Sequence, residues 1–182
     1  SPYFLTYMND ALNLYADDAT VASIQGWCFP HAATDAPDTF FLRGADCWGW
    51  ATWRRAWQHF EPDGQLLLDA LRRERLAHAF DLGGSYPYTD MLANQVAGKN
   101  DSWAVRWHAS CFLQNMLTLY PGRSLVNNIG TDDSGTHCAA TDEFFQIVSE
   151  TPVRVDPMPL VCSKEAEASF ARFFRKNRSV SA

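Results

Sequence analysis

No stretch of this chain approaches the ~20 consecutive apolar residues that a membrane-spanning helix needs, and its first residues lack the basic, apolar and cleavage-site pattern of a secretory leader. Positive charge is also scarce. Fifteen Lys and Arg against 21 Asp and Glu leave a net charge of −6, where a nucleic-acid partner asks for a basic face. The five cysteines, Cys28, Cys47, Cys111, Cys138 and Cys162, are odd in number and widely spaced, with no Cys-x-x-Cys pair. That pattern argues against a disulfide frame or a zinc ribbon and fits reduced thiols, so a cytoplasmic protein is expected. Gly-x-Gly-x-x-Gly, the P-loop and the Gly-x-Ser-x-Gly elbow are all missing, which leaves a dinucleotide fold, a P-loop NTPase and a serine-hydrolase triad without support.

What the chain has in quantity is apolar and aromatic side chains, 47% and 14% of its 182 residues, enough to bury a substantial core in one domain or the larger part of one. The densest aromatic run is Thr39–Trp53. Here Trp48, Trp50 and Trp53 fall within six residues, and Trp57 follows one helical turn later. The run comes directly after the apolar Phe40-Phe41-Leu42 and contains Gly44 and Gly49. Indoles in a strand-to-helix turn, beside glycines that admit close backbone approach, suit a wall that stacks on flat ligand faces. The plainer reading, that they are core, is favoured for Trp53 and Trp57.

Along the rest of the chain, Ser1-Pro2 and the spacing of Phe4, Met8, Ala11, Leu12 and Tyr15 predict a helix. A helix capped at residue 1 suggests that the chain begins within a domain. Strands are expected at Val21–Gly26 and Thr39–Arg43, and a helix from the Trp-rich turn to about Phe60. Further helices are expected over Gln65–Ala79 and Thr89–Gly98, and from Asn100-Asp101-Ser102 through Leu117. A strand is expected over Ser124–Ile129. Beyond Glu150, Pro152, Pro157 and Pro159 impose extended chain before a helix over Lys164–Lys176. Mixed α/β results, with too few strands for a complete doubly wound sheet.

Two places could carry chemistry. Asp101 stands at the expected start of a helix, beside Trp103. It reads as an N-cap, or as a rigidly held general base taking a proton from a bound hydroxyl. The loop Gly130–Cys138 holds Asp132, Asp133 and His137, residue types that could ligate a divalent cation or contact a phosphate, although they also make ordinary turns. On the last helix, Phe170, Phe173 and Phe174 beside Arg172, Arg175, Lys176 and Arg178 could meet a membrane surface. A helix docked by its phenylalanines is the favoured reading.

Ser1-Pro-Tyr-Phe-Leu-Thr-Tyr-Met-Asn9, the Phe40–Trp53 run, Asn100-Asp-Ser-Trp103, Leu119–Gly130 and Gly135-Thr-His137 together resemble the second half of nucleotide-sugar-dependent glycosyltransferases of the GT-A fold. Family 2 is the nearest, in particular the bacterial haemolysin-like sugar transferases. The resemblance covers residues 1 to about 140. It implies an incomplete α/β sheet with several helices: the acceptor-side half of the domain over residues 1–150, then an extension over 151–182 ending in a helix. The Asp-rich metal motif and nucleotide-binding half of such enzymes would precede Ser1. By the resemblance, Gly44, Asp46, Trp48, Gly49, Trp50, Trp53 and Trp103 would bind donor sugar and acceptor. Asp101 would be the catalytic base, and His137 would help to hold Mn²⁺ or Mg²⁺. Asn100 departs from the Glu that many relatives carry there.

The implied partners are a nucleotide-sugar donor and a glycan or lipid-linked acceptor, which places the protein in the cytoplasm or at the inner face of the membrane. A fragment of this kind is expected to be nearly inactive by itself. It is also expected to expose a sheet edge, and so to associate with another copy. The competing readings are a non-catalytic carbohydrate-binding or interaction module and, a distant third, a metal-dependent hydrolase using the Asp132–His137 loop.

Overall fold

The computed structural model describes residues 1–29, 37–128 and 144–178. Within them the chain is mixed α/β, a small four-stranded mixed sheet with seven helices. Strands β1 (Val21–Gln25), β2 (Thr39–Arg43), β3 (Trp50–Thr52) and β4 (Leu117–Pro121) lie in the order β2-β4-β1-β3. β1 and β4 run parallel at the centre, and the outer strands are antiparallel to them. All five residues of β1 and of β4 are buried, as central strands covered on both faces require.

One face of the sheet, bearing Val21, Ile24, Phe41, Leu117 and Leu119, receives α1 (Phe4–Leu14) through Tyr7, Met8 and Ala11. The 150s segment closes this side with Val153. The other face takes α6 (Trp103–Leu113), whose Trp107 and Cys111 pack with Ala22 and Met116. The far side of α6, carrying Val105, Ala109 and Phe112, meets α3 (Gly64–Arg73), α4 (Ala77–Phe80) and α5 (Tyr88–Val96) around Leu67, Leu71 and Leu92. Asp63 caps α3 by accepting from the Gln65 and Leu66 amides at 2.8 and 3.4 Å. The last helix, α7 (Lys164–Arg178), docks as expected, with Phe170 and Phe174 buried against Phe29, Phe40 and Tyr120.

Several expected boundaries move. The Trp-rich turn is not a direct strand-to-helix passage: Trp50–Thr52 form β3 against β1, with Trp50 opposite Gln25, and only Arg54–Trp57 (α2) are helical after it. The long helix expected over 65–79 breaks at Arg75, whose φ of 58° no helix accommodates. The helix opened by Ser102 stops at Leu113. Asn115 then turns at φ 55°, and the Leu-Thr-Leu-Tyr alternation becomes β4. The strand expected at Ser124–Ile129 is not formed over its described part. Leu125 instead donates its amide to the Gly26 carbonyl at 2.8 Å, and the Ser124 hydroxyl donates to the Val126 carbonyl, so the segment lies across the end of β1 as a loop. The outer edge of β2 is not left bare. Cys162 bridges to Phe41, and the Ser163 amide donates to the Phe41 carbonyl at 2.8 Å. No helix of the described residues is long and apolar enough to cross a membrane.

Candidate functional site

The tryptophan run does not build one wall. Trp48 turns inward, 4.6 Å edge-to-face from the fully buried Trp27 and 5.5 Å from Phe144. Trp53 goes to α1, donating its indole N–H to the Leu12 carbonyl at 3.3 Å, with the Arg55 guanidinium over its ring. Trp50 turns the third way and meets Trp103 at 5.5 Å, Trp57 at 6.1 Å and Trp107 at 6.3 Å. In this last group Trp107 is the sealed floor, while Trp57 and Trp103 keep 40% and 41% of their surface in solvent. Of the residues expected to bind substrate, the fold thus unites Trp50 with Trp103 and sends Trp48 and Trp53 elsewhere.

Asp101 is exposed at the start of α6, two residues before Trp103. It is not the helix cap. Ser102 is, accepting from the Val105 amide at 3.3 Å, while the Asn100 side chain accepts from the Ser102 amide and donates to the Met91 carbonyl. Asp101 sits between the two residues that make these bonds, with its carboxylate at the start of a helix.

Glycines shape the connection between β2 and β3. Gly44 has φ 97°, and a Cβ there would run into the His108 ring; Gly49 has φ 62°, with Val126 Cγ2 2.7 Å from where a Cβ would stand. The Gly44 amide donates to the Met116 carbonyl, its own carbonyl accepts from the Thr118 hydroxyl, and the Gly49 carbonyl accepts from the Gly26 amide at 2.7 Å. Pinned at both ends, the loop crosses from β2 to β3 carrying Asp46. Asp46 is half-buried as a residue, but its carboxyl is set deep. Loss of hydration pushes it up to about 6, against the opposing bond from the Cys47 amide at 2.7 Å. His108 lies beside the same loop, its Nδ1 2.8 Å from the Ala45 carbonyl and its ring stacked on Phe80 at 4.9 Å. Burial lowers it to about 4, so it is neutral at pH 7. Together with Arg43, Tyr88 and Phe112 it lines a cavity of about 40 Å³ closed on one side by α7.

Several buried polar groups lack partners among the described residues. Both amide atoms of Gln25, at the end of β1, and the indole N–H groups of Trp27 and Trp107 are of this kind. His137, with Asp132, Asp133 and Cys138, lies outside the described residues. Among the described residues no three His, Cys, Asp or Glu side chains gather as a metal ion would require. Cys28, Cys111 and Cys162 are reduced thiols, their pKa values raised by burial.

Sequence reasoning favoured a core reading for Trp57, which is instead 40% exposed, used Trp107 only for the helical spacing of α6, and did not single out Phe60 or His108. The spacing Trp103-Trp107, one turn apart on α6, signalled a shared face; nothing in the sequence announced that β3 would bring Trp50 to it. No family model, no curated protein and no solved structure matches this chain.

Proposed function

We propose that this chain is the acceptor-side portion of a GT-A-type, nucleotide-sugar-dependent glycosyltransferase, acting in the cytoplasm or at the inner membrane face in glycan or polysaccharide synthesis. The observation that supports it most is Asp101: an exposed carboxylate at the start of α6, two residues before the half-exposed indole of Trp103. The sequence landmarks of the resemblance supply the enzyme class.

In this reading Asp101 takes the proton of an acceptor hydroxyl as that oxygen bonds to the anomeric carbon. The bond from that carbon to the donor's phosphate oxygen breaks, the nucleoside diphosphate leaves with the electron pair, and the anomeric configuration inverts. Mn²⁺ or Mg²⁺ would neutralise charge on the leaving diphosphate. The described residues do not form a cation site. The contribution of this chain is the base and the surface that presents the acceptor.

Calorimetric titration of the full-length protein with a panel of nucleotide-sugars and Mn²⁺ tests the class. Saturable binding of one donor is expected; binding of none across a broad panel removes the reading. A carbohydrate-binding module without catalysis is the second reading, favoured by one observation: the half-exposed pair Trp57 and Trp103 needs no donor half to hold a sugar.

A further inference from the structure

We propose that the cavity under α7 binds the carboxylate of a small organic acid, with Arg43 as the charged anchor and the hydroxyls of Tyr88 and Tyr120 as further donors. The cavity is walled by residues of β2, β4, α4, α5, α6 and α7. It needs neither a donor sugar nor Asp101, so it stands apart from the glycosyltransferase reading.

Three observations carry this. First, Arg43 lines the cavity and is fixed in place. Its Nε donates to the Phe112 carbonyl at 2.9 Å, and its guanidinium carbon lies 3.8 Å from the centre of the Phe112 ring. Its two terminal nitrogens make no hydrogen bond or ion pair among the described residues, which leaves the fork that matches a carboxylate available. A guanidinium already held by its neighbours loses little freedom when an anion pairs with it.

Second, Tyr88 and Tyr120 line the same space, Tyr120 with only 5% of its surface exposed, and neither hydroxyl has a hydrogen-bond partner among the described residues. Polar groups so deep normally find one. Burial raises the pKa of both phenols, so each keeps its proton and can donate. Third, the volume of about 40 Å³ holds roughly three water-sized atoms. That suits a carboxylate group and is small for a phosphate. An apolar guest would leave these donors unmatched, and a cation would face Arg43.

The charges nearby decide the conditions. Glu167 lines the cavity, but the Lys164 ammonium engages it at 2.8 Å. Glu74, whose field reaches Arg43, pairs with Arg73 at 3.4 Å. Asp46 acts on both phenols, and burial keeps its proton on up to about pH 6. His108, on the cavity wall, is neutral above about pH 4, and burial holds the Cys162 thiol protonated. In mildly acidic solution the local balance therefore favours an anion.

The test titrates this chain at about pH 5.5 with sodium formate and sodium acetate, at ionic strength held constant with chloride. Binding is read by ¹H–¹⁵N NMR at the Arg43 Nε–H and the Tyr88 and His108 amides. Saturable shifts are expected with either acid. Tyr88→Phe and Tyr120→Phe, each removing one hydroxyl and each confirmed as folded by its amide spectrum, should weaken acetate binding by about three- to tenfold. Arg43→Gln should weaken it by at least about tenfold; should that variant not fold, the two phenylalanine variants decide. Absence of saturable shifts overturns the proposal, as does unchanged acetate affinity in both phenylalanine variants. It is also overturned if glycerol, a neutral molecule, gives the same shifts at the same concentrations, or if inorganic phosphate binds there more tightly than acetate.

Discussion

Trp48 and Trp50 are two residues apart, both partly buried, and join different clusters. Trp48 joins Trp27, Phe29 and Phe144 in an interior cluster that α7 closes with Phe170 and Phe174, whereas Trp50 joins Trp57 and Trp103 in a cluster left half open to water. Both are aromatic-rich and edge-to-face or tilted. What separates them is not chemistry but what the fold lays over them. The interior cluster spends its apolar surface on stability. The open one keeps part of its surface exposed at a cost, and Asp101 stands two residues from its Trp103. The contrast teaches that in this chain aromatic density alone does not distinguish core from surface; what the fold lays over each indole does.

Removing an indole from each cluster sharpens that contrast. Trp27→Ala should cost about 3–5 kcal/mol, as large-to-small changes at sealed aromatic positions do, and lower Tm by about 10 °C or more. A loss below about 1 kcal/mol in chemical denaturation would show that the interior cluster is loosely held.

The connecting loop responds to pH. Asp46 has its folded pKa raised to about 6, so between roughly pH 4 and 6 the native state holds a proton that the unfolded chain has lost, and stability falls as pH rises. His108, lowered to about 4, does the opposite: over the same window the unfolded chain is protonated and the native ring is not, so stability rises with pH. The two slopes offset each other in the wild type. In Asp46→Asn the His108 slope stands alone, and stability relative to wild type should rise from pH 4 to pH 6 by up to about 3 kcal/mol. Urea midpoints measured across that range check it; parallel curves for the two proteins would mean that Asp46 ionises normally in the fold.

The smallest effect on stability belongs to the open cluster. Trp57→Ala should destabilise by about 1 kcal/mol, because the indole already faces water over much of its area. A loss as large as that of Trp27→Ala would erase the distinction between the two regions.

The fold was legible in the sequence where local pattern and burial agree. β2 and α7 match their expected start points, and β1 and α5 are displaced by a residue or two at their ends. It was illegible where a short element depends on a distant partner. β3 is three residues long and exists because Gln25 lies opposite Trp50; no periodicity fits in so short a span. The Trp103-Trp107-Cys111 ladder hid the end of α6, which is set by the left-handed Asn115 rather than by any loss of apolar spacing. For the candidate site, the sequence singled out Asp101, Trp50 and Trp103 by residue type, and the fold brings Trp50 and Trp103 together. That Trp48 and Trp53 would leave, and that Trp57 and Phe60 would join, depended on how the turn through Gly44 and Gly49 aims each indole.

The most direct test of the account is sugar transfer by the full-length protein, with Asp101→Asn compared with wild type on samples whose donor binding is measured in parallel. The amide fills the same space and accepts no proton, so turnover should drop by about 10²–10⁴-fold while donor affinity is unchanged. Turnover retained within a few-fold of wild type would contradict the assignment of Asp101 as the base, and with it the central claim.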